Sequence, residues 1–124
     1  MNIENNFASF WIQNGILYFK YKEDTVIDLT AAMQIVADRL ELQKGKSYPV
    51  LCDTRGVKSI DMNARRYLAS EGTLFIKAIA LLQDNPLSRI FSEIYVQGNR
   101  LPIPTKICDD TNAALQFLQD YLSK

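Results

Sequence analysis

The chain contains no histidine. That absence removes the Ser–His and Cys–His nucleophile pairs and the commonest side-chain ligand for transition metals. Cysteine is scarce: Cys52 and Cys108 are the only two, far apart and each inside an apolar run, where a lone thiol serves as a small buried hydrophobe. A zinc site would need more soft ligands than these. The five glycines are scattered, and neither the dinucleotide-binding nor the P-loop spacing occurs, so a standard phosphate loop is excluded. Charge excess is missing too, since 14 basic and 14 acidic residues give a formal net charge of +0. A general binder of nucleic acid or anionic membrane needs a basic field, and the adjacent Arg65 and Arg66 read as a solvated helix face. No apolar run approaches the length of a membrane span. Residues 1–6 are polar and acidic, unlike a secretory signal. The expected location is the cytoplasm, with no membrane insertion and no cofactor.

What is present is ordinary globular composition, 48% hydrophobic and 23% charged over 124 residues. That is the size of a single domain. No linker, repeat or low-complexity segment divides it, so one domain spanning 1–124 is expected. Residues 7–13 and 16–21 flank Asn14-Gly15, the dipeptide best suited to a two-residue type I′ hairpin turn. This turn sets Gln13 opposite Ile16, Trp11 opposite Tyr18 and Phe10 opposite Phe19. Alternation then puts Ala8, Phe10, Ile12, Leu17, Phe19 and Tyr21 on a core face. The other face carries Trp11, Ile16 and Tyr18 among polar residues. If helices cover only one side of the sheet, those three form a homodimer contact or a docking face; otherwise a helix or the N-terminal arm covers them.

Asp28 is placed to cap a helix over 29–43, in which Ala32, Ile35, Val36 and Leu40 recur at helical spacing. Gly45 suits the left-handed position that ends it. Residues 48–52 read as a buried strand and 53–56 as the loop leaving it. Asp61 caps a second helix, 62–71, with Ala64, Tyr67 and Leu68 inward. Residues 75–82 read as a central strand despite Lys77. Asn85-Pro86 starts a third helix, with Leu87, Ile90, Phe91, Ile94 and Tyr95 on one stripe and Gly98-Asn99 as its stop. A last strand covers 105–108. Asp109 or Asp110 caps a final helix whose apolar face is Ala113, Ala114, Phe117, Leu118, Tyr121 and Leu122. The order is ββαβαβαβα, and alternation of strands and helices after the hairpin implies parallel pairing in an α/β domain.

The segment Asp53-Thr54-Arg55-Gly56-Val57-Lys58-Ser59-Ile60-Asp61-Met62-Asn63-Ala64, with the strand before it, resembles the signature of STAS domains. These are the bacterial anti-sigma-factor antagonists and their SpoIIAA-like relatives. Their pattern is a strand, Asp, an apolar residue, Ser-Gly-Val, two variable positions, an apolar residue, and Asp-Ser-Ser-Gly opening a helix. Asp53, Gly56, Val57, Ile60 and Asp61 match in register. The resemblance implies a mixed sheet of about five strands with an N-terminal hairpin and about four helices, in keeping with the alternation. It also implies contact with an unknown protein partner through Asp53, Arg55, Ser59, Asp61 and Asn63. In that family a partner kinase phosphorylates the second serine of the pair. Asn63 stands at that position, so the phospho-switch does not carry over. The ending Ile103-Pro104-Thr105-Lys106 before an acid-started helix is similar to an uncharacterised bacterial SpoIIAA-like group.

The expected function is therefore a non-enzymatic regulatory or protein-interaction module lacking the phosphorylatable serine. The alternative is a carrier or sensor of a small apolar ligand or lipid, because related SpoIIAA-like domains are similar in fold to lipid-transfer domains. That reading requires a pocket between the third helix and the sheet, with Leu101 and Ile103 bordering it. A third reading gathers Asp53, Asp84 and Asp109 or Asp110 at strand ends around Mg²⁺ for hydrolysis. Capping accounts for all of these except Asp53, and no base or nucleophile accompanies it.

Overall fold

The hairpin folds about its turn because Asn14 and Gly15 both take positive φ, 53° and 81°, as a type I′ turn requires. In this computed structural model, which describes residues 2–83 and 101–122, β2 (Ala8–Gln13) and β3 (Ile16–Tyr21) follow a short β1 (Asn2–Glu4). The pairs Phe10↔Phe19, Trp11↔Tyr18 and Gln13↔Ile16 are those the turn dictates. β4 (Thr25–Ile27) leads into α1 (Leu29–Gln43), and β5 (Tyr48–Asp53) into β6 (Val57–Ile60) and α2 (Met62–Ser70). A single 3₁₀ turn, Glu71–Thr73, precedes β7 (Ile76–Leu82). β8 (Thr105–Cys108) and α3 (Thr111–Gln119) close the described chain.

The main sheet has six strands in the order β1-β2-β3-β5-β7-β8, antiparallel through the hairpin and parallel from β3 onward. The fold is the expected mixed α/β sheet. Three short strands extend beyond the expected five, namely β1, β4 and β6. The helix expected after Asn85-Pro86, and Asp84 beside it, lie outside the described residues. Phe75 does not begin the central strand: its φ is 61°, an uncommon conformation for a bulky residue. Its carbonyl is held by the Tyr48 N–H at 3.3 Å and the Gln43 amide at 2.8 Å. The buried Arg39 braces the same turn, donating to Gln43 and to the carbonyls of Leu74 and Gly72 at 3.0 and 3.1 Å.

Two apolar layers form, one on each face of the sheet. The first joins Phe10, Leu17, Phe19, Val50, Cys52, Ile79 and Leu81 to α1 and α2 through Ala32, Ile35, Ala64 and Leu68. Leu101 and Ile103 pack against this layer; the third helix that would complete the groove expected beside them lies outside the described residues. The second joins Ile16, Leu51, Ala78, Ala80 and Leu82 to α3 through Ala114 and Leu118. Small side chains at 78 and 80, both fully buried, let the helix approach β7 closely. Helices therefore cover both faces, and Ile16 is buried at 4% exposure. Of the two alternatives for the face of Trp11, Ile16 and Tyr18, cover by a helix holds at Ile16, while Trp11 and Tyr18 are half-buried.

β4 and β6 pair in parallel as a separate two-stranded sheet, with Val26↔Ser59 and Ile27↔Ile60. Each strand runs directly into a capped helix. The Ala31 N–H donates to Asp28 Oδ1 at 2.8 Å and the Ala64 N–H to Asp61 Oδ1 at 2.8 Å. Asp110, not Asp109, performs the same task for α3, accepting from the Ala113 N–H at 2.7 Å. The two loops before β4 and β6 cross at Gly56, where an added Cβ would sit 2.4 Å from the Lys22 carbonyl oxygen. The obstacle is backbone, so it cannot swing aside. Gly56→Ala is expected to lower stability by about 1–3 kcal/mol, measured by urea unfolding; a variant as stable as the parent would show that this crossing is soft.

Candidate functional site

Asp53 ends β5 at the carboxyl edge of the sheet and is buried at 7% exposure. A buried carboxylate needs a cation or hydrogen-bond donors. Arg55, two residues along, supplies both: its Nε and Nη2 reach the two carboxylate oxygens at 2.9 and 2.8 Å, and its backbone N–H donates to Oδ1 at 3.1 Å. This bidentate fork locks the 53–56 loop. Thr54, between them in sequence and fully buried, donates from Oγ1 to the Leu82 carbonyl at 2.8 Å. The strand-to-loop junction is thus pinned by the Asp53–Arg55 fork and by the bond from Thr54 to the neighbouring strand.

The five positions taken from the motif separate into two groups. Asp53, Arg55 and Asp61 have structural tasks, the first two as the ion pair and the third as the α2 cap. Ser59 and Asn63 are exposed, Ser59 on β6 and Asn63 in the first turn of α2. Sequence reasoning missed their apolar surroundings. Val26 and Met62 are each 56% exposed, Met33 49% and Leu29 39%. Pairing of β4 with β6 sets the starts of α1 and α2 side by side, so Leu29 and Met62 are the first residues of neighbouring helices. The signal was present in sequence only as apolar residues directly after caps, where solvent-facing positions are usually polar.

The acids do not gather. Among the described residues no three His, Cys, Asp or Glu side chains are placed to share a metal ion. Asp53 is engaged with Arg55, Asp110 caps α3, and Asp109 accepts from the buried Gln83 amide at 2.7 Å. The thiols are equally unsuited to chemistry. Burial pushes the Cys52 thiol well above its ordinary range and the Asp53 carboxylate adds to this, Arg39 opposing. Burial also raises Cys108, with Lys106 opposing.

A second recess lies on the α3 side of the same edge. Trp11, Tyr18, Lys20, Asp53, Arg55 and Thr111 border an open cleft of about 230 Å³. The Trp11 and Tyr18 rings are parallel within 2°, with centroids 5.3 Å apart, and both are half-buried. Beneath α1 and α2 the interior holds a cavity of only about 30 Å³, which is one water's share of volume.

Residues 10–122 match the model of a family described as a domain of unknown function, DUF7793. No curated protein matches the chain. Among solved structures it is similar to an uncharacterised protein of the DUF3478 family with a SpoIIAA-like fold from Shewanella loihica PV-4. The TM-score there is 0.63 at 14% identity, covering 94% of this chain and 98% of that one. It is also similar to an anti-sigma factor antagonist from Mycobacterium paratuberculosis, with a TM-score of 0.57 at 18% identity, over 91% of this chain and 93% of that one. At such identities the likeness shows the fold, which is SpoIIAA-like.

Two outcomes follow from the site. Arg55→Met leaves Asp53 buried without its fork and is expected to cost about 1–3 kcal/mol, between the limits for surface and buried pairs. Adding Asp53→Asn should recover part of that loss in urea unfolding, whereas strict additivity would contradict the coupling. Because both thiol pKa values are raised, the thiols stay protonated at pH 8 in the folded protein. Alkylation by iodoacetamide there should track unfolding; fast native-state labelling of Cys52 would overturn this.

Proposed function

The chain belongs to the DUF7793 family, and we propose that it serves as a non-enzymatic regulatory module that binds a protein partner. The observation that carries this reading is the exposed surface formed where β4 and β6 deliver α1 and α2. There Val26 is the register partner of Ser59, Leu29 and Met62 open the two helices, Met33 lies one turn along α1 and Asn63 follows Met62, all of them exposed. Apolar side chains collected at two helix starts, rimmed by polar groups, have the make-up of a protein contact. Methionine adapts to the shape of a partner. The SpoIIAA-like fold and the anti-sigma factor antagonist among its structural neighbours support a regulatory contact of this kind.

Asn63 gives the contact its character. It occupies the second position of α2, exposed, after the Asp61 cap. A phosphate there would be favoured by the helix N-terminus, but an amide cannot accept one. The partner surface therefore stays permanently uncharged at this point, and binding is constitutive as far as this residue is concerned.

The carrier reading has less support, since the cavity under α1 and α2 is about 30 Å³, far below the roughly 300–1,000 Å³ of ordinary ligand pockets. The site imagined under the third helix lies outside the described residues. Hydrolysis through Asp53 would require freeing a carboxylate that holds the 53–56 loop.

The variants that test the partner surface must avoid Arg55 and Asp61, whose replacement disturbs the fold itself. Val26→Glu and Met62→Lys change exposed positions. Tagged protein purified from the native host is expected to lose its specific partner, tenfold or more in recovery, in either variant, and Asn63→Asp is expected to weaken it. Equal recovery by both folded variants would sink the assignment.

A further inference from the structure

The exposed apolar surface at the two helix starts is rimmed by charge of one sign. Glu23 and Asp24 precede Val26, Asp28 stands immediately before Leu29, and Asp61 immediately before Met62; all four acids are exposed. Over residues 23–33 and 57–63 the only cation is Lys58, so four carboxylates against one ammonium leave three net negative charges. Arg66 lies one turn beyond Met62 on α2, also exposed. Asp28 and Asp61 each give one oxygen to a helix cap, and the positive helix starts offset part of their charge. Glu23 and Asp24 have no such offset, and neither forms an ion pair among the described residues. Lys22 beside them is held by Glu4 at 2.7 Å. The rim is therefore acidic around an apolar centre.

Taking the helix-start surface as the protein contact, on which this step rests, we propose that its occupant is a basic amphipathic helix, with Lys or Arg flanking an apolar stripe. An acidic rim repels nucleic acid and anionic lipid alike, so a cationic protein segment is the class that the charge admits. Leu29 and Met33 stand one turn apart on one face of α1, and both are exposed. They form a stripe along which a second helix can pack. Addition of a strand is the weaker geometry, because β4 and β6 have only three and four residues, short of the usual five or six or so. Complementary charge steers the encounter and selects the partner, while Val26, Leu29, Met33 and Met62 supply the apolar contact.

The probe is a synthetic peptide of about fourteen residues, Leu and Lys only, patterned to put Leu on one helical face. One control replaces every Lys by Glu, and a second replaces every Leu by Ser. The Leu/Lys peptide is expected to bind with a dissociation constant of about 100 μM or tighter at low salt and more weakly at high salt. Amide shift changes on titration should centre on residues 23–33 and 57–66. Both controls should bind about tenfold more weakly or worse. Glu23→Lys combined with Asp24→Asn changes exposed side chains only, and Asn tolerates the φ of 58° at position 24. This double variant should weaken the Leu/Lys peptide about tenfold. Equal binding of the Lys and Glu peptides, an unchanged affinity in the double variant, or shift changes centred elsewhere would each overturn the proposal. With the host partner, Met62→Lys should reduce recovery more than Val26→Glu, since it adds the repelled charge; the reverse order points to an acidic partner and overturns the proposal. If both single variants lose that partner but the double variant recovers it as the parent does, the surface stands and its basic occupant is refuted. If neither loses it, the surface itself falls.

Discussion

A buried carboxylate at the end of a central strand sets the arrangement of everything around it. Asp53 is too deep to be solvated as an ion by water alone, and burying such a charge without a partner is costly. The chain answers within two residues, folding Arg55 back in a two-point fork. That fork fixes the exit direction of the loop. Gly56 then passes under the Lys22 carbonyl at a distance no side chain tolerates, and β6 is delivered alongside β4. From this crossing the two capped helices begin as neighbours, and the exposed apolar surface exists because they do.

The same junction borders the cleft beside Trp11 and Tyr18. One ion pair therefore joins the loop that leads to the two helix starts with the border of that cleft. Arg55 is the shared element. Its Asp53 contact is largely enclosed, while its outer edge remains in reach of solvent. Family membership and the SpoIIAA-like likeness describe the frame in which these two features sit.

Local signals in the sequence were strong wherever the backbone itself enforces them. Asn14-Gly15 dictated the hairpin register pair by pair, and Asp28 and Asp61 marked helix starts that the structure places at those residues. The alternation of strands and helices gave the parallel sheet. Short strands of three or four residues, such as β1, β4 and β6, carry too little periodicity to be read. Their existence depends on a partner strand distant in sequence. The covering of Ile16 by α3 was illegible for a similar reason, since which face a terminal helix takes is decided by packing. Phe75 misled because an apolar residue beside an apolar strand reads as its continuation, while the Arg39 and Gln43 bracing holds it in the left-handed region. For the candidate site, the motif located the junction from 53 to 63 but not its division of labour. That Asp53 and Arg55 hold the fold became visible only with their hydrogen bonds, whereas the capping role of Asp61 was legible in the sequence.

Hydrogen–deuterium exchange of the protein alone and with the partner that co-purifies with it tests the central claim most directly. The account predicts new protection in residues 26–33 and 57–66, with α3 and the hairpin face unchanged. Protection centred on α3 or on Trp11 and Tyr18, with those two segments exchanging as before, would contradict it.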